Sequence, residues 1–240
     1  ILHLDDAQSA RRLVFSEGDG LSGLIVDCYD RWLVVQVTAL GLAQRLDWIL
    51  DILEELIEPE GIFLRTARGI RELEGLELHD GLMRGSVPSQ PIEIEEYGVR
   101  FLVHLQEGQK TGFYCDQREN RRWVAEQSND CRVLDAFCYS GGFALHAARG
   151  GASSVLGIDV SESALALAKE NARLNELSTV EFLQGDVFTE METLAEAGAQ
   201  FDLVILDPPK FARRRNAVKE AMRGYHRLHD LAMRLIPSGG

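Results

Sequence analysis

The stretch Val133-Leu134-Asp135-Ala136-Phe137-Cys138-Tyr139-Ser140-Gly141-Gly142-Phe143 decides the fold. Apolar, β-prone positions run into Asp135, and a glycine pair then opens the amphipathic pattern Phe143, Leu145, Ala147, Ala148. Such a pattern reads as strand, tight turn and helix. Glycine lets the backbone turn sharply and admits a ligand where a Cβ would stand, while the N–H groups of a first helical turn face whatever binds there.

Working outward from this turn, the chain downstream alternates. Strands are predicted over 133–134, 155–158, 180–183 and 201–206, with helices over about 142–148, 161–174, 189–197 and 217–236. Ser161 is expected as a helix N-cap, and Thr189 with Glu192 has capping-box spacing. Alternation of this kind predicts right-handed βαβ units, a parallel sheet, and a ligand outside the carboxyl ends of the strands.

Each of the four strands ends at or near an acidic residue: Asp135, Asp159, Asp186 and Asp207. One such residue carries little, because Asp is common in turns and helix caps; four at one sheet edge form a constellation. Asp159 can accept both hydroxyl hydrogens of a ribose. The first turn has only Gly141-Gly142 and lacks Gly-x-Gly-x-x-Gly, which counts against a pyrophosphate. A cofactor with a ribose, no phosphate and a cationic amino-acid end suits an acidic turn. S-adenosylmethionine has those properties, with its sulfonium and ammonium near Asp135, its ribose on Asp159 and its adenine amino group donating to Asp186. In Asp207-Pro208-Pro209-Lys210, two prolines fix the backbone and remove two N–H donors. The acceptors that remain suit a planar base with an exocyclic amino group, flipped out and read on its edge.

Upstream, strand-like runs at 24–26 and 33–37 precede a helical pattern from Leu42 to Ile57 that Pro59 and Gly61 stop, and a short strand follows at 62–64. Tyr97-Gly98 between 92–96 and 99–104 reads as a hairpin. Together these make a small α+β domain over 13–105, with Trp32 and Trp48 as packing groups. After Glu107 the composition changes, and Asp116 with Glu119 has capping-box spacing, so Lys110, Thr111 and Gly112 fall in a loop just before a helix.

A chain of 240 residues with 45% hydrophobic residues can bury a sizeable core. Its formal charge of −13 argues against a surface coated in positive charge for nucleic acid. The local basic patches are Arg11-Arg12, Arg118 with Arg121-Arg122, and Lys210 followed by Arg213-Arg214-Arg215; charge runs of this kind are usually solvated faces. Cys28, Cys115, Cys131 and Cys138 form no metal-type pair and no disulfide framework, which suits reduced thiols. No apolar run is long enough to span a bilayer and no signal peptide precedes Asp5-Asp6, so a soluble, cytoplasmic protein with no membrane partner is expected.

Val-Leu-Asp-Ala-Phe-Cys-Tyr-Ser-Gly-Gly-Phe, Gly-Ile-Asp-Val-Ser, Gly-Asp-Val-Phe and Asp-Pro-Pro-Lys resemble motifs of class I S-adenosylmethionine-dependent methyltransferases. Lys110 to Arg121, Lys-Thr-Gly-Phe-Tyr-Cys-Asp-Gln-Arg-Glu-Asn-Arg, and Gly18 to Asp27 narrow the resemblance to the rRNA 5-methylcytosine methyltransferases that carry an N-terminal PUA domain. The resemblance runs from about Arg12 onward. It implies a Rossmann-like class I methyltransferase domain over 106–240, truncated before its last strands, the small central domain over 13–105, and a remnant of the connection from a PUA domain over 1–12. It also implies large-subunit rRNA as partner, and leaves room for a homodimer. The cofactor residues it carries over are Lys110, Thr111, Gly112, Phe113 and Arg118 from the loop, Phe137, Ser140, Gly141 and Gly142 from the turn, and Asp135, Asp159, Asp186 and Asp207. Asp207 and Lys210 are the expected catalytic pair.

In that family a cysteine thiolate adds to carbon 6 of cytosine and makes carbon 5 nucleophilic toward the methyl donor; a base then removes the carbon 5 proton and the thiol leaves. The family's cysteine follows a Pro-x-Gly-Gly turn, which here is Pro237-Ser238-Gly239-Gly240. The nucleophile is therefore expected beyond residue 240, Cys138 is read as a packing residue, and the chain by itself is expected to be catalytically inactive. The rival readings are an rRNA guanine N7 methyltransferase, a non-catalytic RNA-binding protein on the same fold, and a small-molecule methyltransferase.

Overall fold

Hydrophobic runs of five or six residues, most of them bounded by glycines, acidic residues or turns, set the architecture. The computed structural model describes residues 10–66, 75, 78–106, 112–212 and 218–237. The chain divides into two units between Arg118 and Glu119.

In the first unit, β1 (Ala10–Phe15), β2 (Leu24–Tyr29), β3 (Trp32–Val37), β4 (Gly61–Thr66) and β5 (Gly81–Gly85) form one sheet in sequential order. All neighbours pair antiparallel except β3 and β4, which run parallel. Between those two, α1 (Leu40–Ala43) and α2 (Leu46–Ile57) make the crossover that a parallel pair requires. Leu46, Leu50 and Leu53 of α2 pack on Leu33, Val35, Ile62 and Leu64 of the strands. The expected helix from Leu42 is broken at Gln44 and Arg45, β1 starts at Ala10 inside the stretch read as a connection, and β5 has no counterpart in the sequence reading. β6 (Ile92–Glu96) and β7 (Val99–Val103) form the expected hairpin, whose Tyr97 and Gly98 both have positive φ, 49° and 77°, as a type I′ turn demands.

The second unit is the α/β domain, Rossmann-like in its winding. It opens with α3 (Arg118–Gln127), of which only the first residue belongs to the first unit. β8 (Arg132–Ala136), β9 (Ser154–Asp159), β10 (Val180–Gln184) and β11 (Leu203–Leu206) form an all-parallel sheet in the order β10-β9-β8-β11. The intervening helices are α4 (Gly142–Arg149), α5 (Glu162–Leu174) and α6 (Val187–Glu196), and α7 (Val218–Leu235) follows β11. Leu134, Ala136 and Ile158 pack with Met191 of α6 and Leu228 of α7, whereas Val133, Val155 and Ile205 pack with Val124 of α3 and Ala144 of α4. Burial on both faces explains why these strands read as continuous apolar runs. Chain order leads from β8 outward through β9 to β10 and then back across to β11. The reversal places a topological switch point beside β8, where an open parallel sheet leaves a crevice. No helix among the described residues is long and apolar enough to cross a membrane.

Candidate functional site

Asp135 is the penultimate residue of β8 and only 1% exposed. Its Oδ2 accepts the backbone N–H of Ala144 at 2.9 Å, while its Oδ1, equally buried, has no hydrogen-bond partner among the described residues. Burial raises its pKa from 3.8 to about 7; Asp207 and Asp159 push in the same direction, against the Ala144 N–H and the charge of Arg121. An unsatisfied buried acceptor costs about 1–3 kcal/mol. Held at the switch point, such an atom awaits a donor, and a cationic one most of all.

The turn after β8 is held under strain. Phe137 and Tyr139 have φ of 71° and 48°, and Gly141 has φ of 84°. A Cβ on Gly141 would press on Phe182 at 3.2 Å and Ala168 at 3.3 Å and would strain the left-handed backbone, so glycine suits this position. Non-glycine residues in the left-handed region cost of order 1 kcal/mol and persist only where the surroundings dictate them. Here the Tyr139 N–H donates to Asp159 Oδ2 at 2.9 Å, Asn171 Nδ2 donates to the Ser140 carbonyl at 3.2 Å, and the N–H groups of Phe137 and Cys138 donate to the Ile158 carbonyl. Asp159 also takes the Ser161 N–H on Oδ1 at 2.9 Å. It therefore ties two strand ends together, and each carboxylate oxygen keeps a lone pair for a further donor.

Among the residues expected at the site, Asp135, Phe137, Ser140, Gly141, Gly142, Asp159 and Asp207 come together at the ends of β8, β9 and β11. Asp186 stands at the end of the edge strand β10, where Oδ1 accepts the N–H and the hydroxyl of Thr189, both at 3.0 Å. It is the N-cap of α6, which corrects the capping box expected at Thr189: the helix starts two residues earlier because Asp186 can reach the third N–H. Ser161 caps α5 as expected, accepting from Ala164 N at 3.3 Å. Lys210 and Asp207 are exposed in the turn after β11.

Lys110 and Thr111 lie outside the described residues. Gly112, Phe113 and Arg118 fall in the first unit. There the Phe113 backbone brackets the Tyr29 hydroxyl, its N–H donating at 3.0 Å and its carbonyl accepting at 3.2 Å, and its ring lies 4.9 Å from that of Phe101. Arg118 is 5% exposed, sits 5.1 Å over the Tyr97 ring, and leaves Nε and Nη1 without hydrogen-bond partners among the described residues.

Two features escaped the sequence reading. Arg121 falls in a basic patch by sequence, yet it is the largest fully buried side chain among the described residues, and its Cδ lies 3.2 Å from where a Cβ on Gly142 would be. Its signal was available: Arg118, Arg121, Val124 and Ser128 share one helical face, and all four are buried. Asn171 carried no signal beyond a polar residue on the inner face of a helix.

The cysteines divide by place. Cys28 and Cys115 are buried in the first unit, and burial pushes both thiols up. Cys138 is buried in the strained turn and its thiol is raised for the same reason, with Asp135 and Asp159 adding to the effect. Cys131 lies in the loop before β8, at the amino end of the sheet and away from the acidic edge.

The acidic sheet edge at the switch point suits the cationic, phosphate-free cofactor expected from the sequence, and comparison with known proteins agrees. Ribosomal RNA large subunit methyltransferase I of Aeromonas salmonicida is 40% identical over 231 residues, which are 95% of this chain and 58% of that protein. The protein of that name from Escherichia coli O139:H28 is 38% identical over 237 residues, 98% of this chain and 60% of its own length. The chain thus spans less than two thirds of the curated relatives it matches. A solved Streptococcus mutans protein, described as a SAM-dependent methyltransferase, superposes with a TM-score of 0.83 at 23% identity, over 98% of this chain and 60% of that one. Since the sequence model for S-adenosylmethionine-dependent methyltransferases matches residues 82 to 240, more than half of its length, the chain belongs to that family.

Proposed function

We propose that this chain is the cofactor-binding part of an enzyme that methylates carbon 5 of a cytosine in large-subunit rRNA. The observation that carries the reading is Asp135 Oδ1, a buried acceptor without a partner among the described residues, at the switch point of the sheet. S-adenosylmethionine supplies an electrophilic methyl group. The chain's own residues do the rest: Asp135 takes the cofactor's ammonium, Asp159 its ribose hydroxyls, and Asp186 its adenine amino group through the oxygen that does not cap α6.

Asp207 and Lys210 stand on either side of two prolines in the turn after β11 and would read the edge of the target base. Its substrate class rests on the relatives, whose names specify large-subunit rRNA, and a cytoplasmic location follows from that substrate. None of the four cysteines is placed as a nucleophile, because three are buried with raised thiols and Cys131 is at the wrong end of the sheet. The attacking thiol therefore belongs to another part of the parent protein, and this chain binds the cofactor without methylating.

Two measurements test the reading. Calorimetry should show S-adenosylmethionine binding at one site. Mass mapping of rRNA from cells lacking the parent gene should show the loss of one methyl group from a cytosine; its loss from a guanine would favour N7 chemistry instead. Methylation of rRNA by residues 1 to 240 alone would overturn the assignment of the nucleophile.

A further inference from the structure

Three of the arginines read as basic patches are committed within the fold. Arg12 is spent on Asp27, with a further contact to Asp116 at 3.5 Å, and Arg118 and Arg121 are buried. What replaces them is assembled by the helical period of α7. Lys219, Arg223 and Arg234 are exposed, share one face of that helix, and make no ion pair with any described residue. Arg227 borders them but is occupied, lying 5.3 Å over the Phe188 ring and 2.9 Å from Glu192. One carboxylate, Asp230, lies on the same face. The opposite face holds Leu228, Leu231 and Leu235 in the core, so the basic face points outward.

We propose that this outer face of α7 carries the phosphate backbone of the substrate RNA, which deepens the reading above and rests on it. Charge selects the partner: in a chain of net charge −13, this face presents three cations against one carboxylate. From Lys219 to Arg234 the helix rises about 22 Å, which matches roughly six steps of a nucleic-acid strand at 3.4 Å. Location selects it too. Phe211, the residue after Lys210, packs its ring 4.5 Å from Tyr225 of α7, so the helix lies against the turn assigned to the target base. Phosphate contacts of this kind position a strand without reading its sequence.

The test uses this chain and a fluorescein-labelled RNA hairpin with a mixed-sequence loop, followed by anisotropy across a salt series. Lys219→Glu with Arg223→Glu is expected to weaken binding about tenfold or more and to lower the salt slope by about two. Asp230→Asn is expected to tighten binding about threefold, a gain that misfolding cannot imitate. Lys169→Glu with Arg173→Glu, on the exposed side of α5, is the charge-matched control and should show less than half of the α7 effect, with unaltered S-adenosylhomocysteine binding certifying the fold of every variant. If the unaltered chain binds no RNA, both the surface and the RNA reading fall. If it binds and the α7 variants bind equally well, or no worse than the α5 control, the surface falls and the RNA reading stands.

Discussion

Asp27 and Asp135 are both buried aspartates, one in each unit, and their surroundings could hardly differ more. Asp27 meets a fork: Arg12 Nε reaches Oδ1 at 2.8 Å and Nη2 reaches Oδ2 at 2.9 Å. Asp135 has one backbone N–H on one oxygen and, among the described residues, nothing on the other. Burial therefore does not distinguish a structural carboxylate from a functional one. Satisfaction does, because a fold that leaves a buried acceptor unpaired bears a cost that a ligand can relieve.

The sharpest way to break this comparison is to neutralise each carboxylate in turn. Asp27→Asn leaves a buried guanidinium against a neutral amide and should lower stability by roughly 3 kcal/mol, read from denaturant unfolding, while the remaining folded protein binds S-adenosylmethionine as before. Asp135→Asn should do the opposite. Cofactor affinity should fall about 30-fold, the worth of one charge-assisted hydrogen bond, while the cofactor-free protein melts no lower than the unaltered chain. Equal losses of stability in the two variants would erase the distinction.

Protonation gives a smaller handle on the same contrast. Folded Asp135 has its pKa raised from 3.8 to about 7, so it keeps a proton that the unfolded chain has already lost. Unfolding then releases a proton between those values, and the stability of the cofactor-free chain should fall as pH rises from about 4 to about 7. The cofactor's cation needs the ionised carboxylate, so its affinity should rise about tenfold per pH unit up to about 7 and level off above. Both trends should vanish in Asp135→Asn.

The smallest expected effect concerns what holds the turn open. Asn171→Ala removes the donor to the Ser140 carbonyl and should cost about 1 kcal/mol in thermal stability, with a weakening of cofactor binding that Asn171→Asp, which lacks the amide donor, shares. If affinity is untouched in both, the strained turn is not what positions the cofactor.

The second unit was legible because its strands are buried on both faces and each runs into an aspartate, so apolar runs and turn chemistry agree. Less of the first unit could be read. Its β5 is five residues, Gly-Leu-Met-Arg-Gly, too short and too glycine-flanked to show a period. Asp135, Asp159 and Asp207 meet at the sheet edge that the strand pattern predicts, and Asp186 caps α6, a role its place after β10 did not reveal. The left-handed backbone at Phe137 and Tyr139 could not be read, since neither residue type prefers it and the constraint comes from Asp159 and Ile158 on the neighbouring strand. Arg121 was misread for a different reason. Treating Arg118, Arg121 and Arg122 as a run hid the three-residue spacing that puts the first two on the inner face of α3 and leaves Arg122 outside, paired with Glu126 at 3.1 Å.

The role of Asp135 is read most directly by calorimetric titration of S-adenosylmethionine into the chain and into Asp135→Asn at pH 6, 7 and 8. One site is expected, with an affinity that rises with pH toward 7 and changes little above it, against about 30-fold weaker, pH-independent binding in the variant. Equal affinities for the two proteins at pH 8 would contradict it.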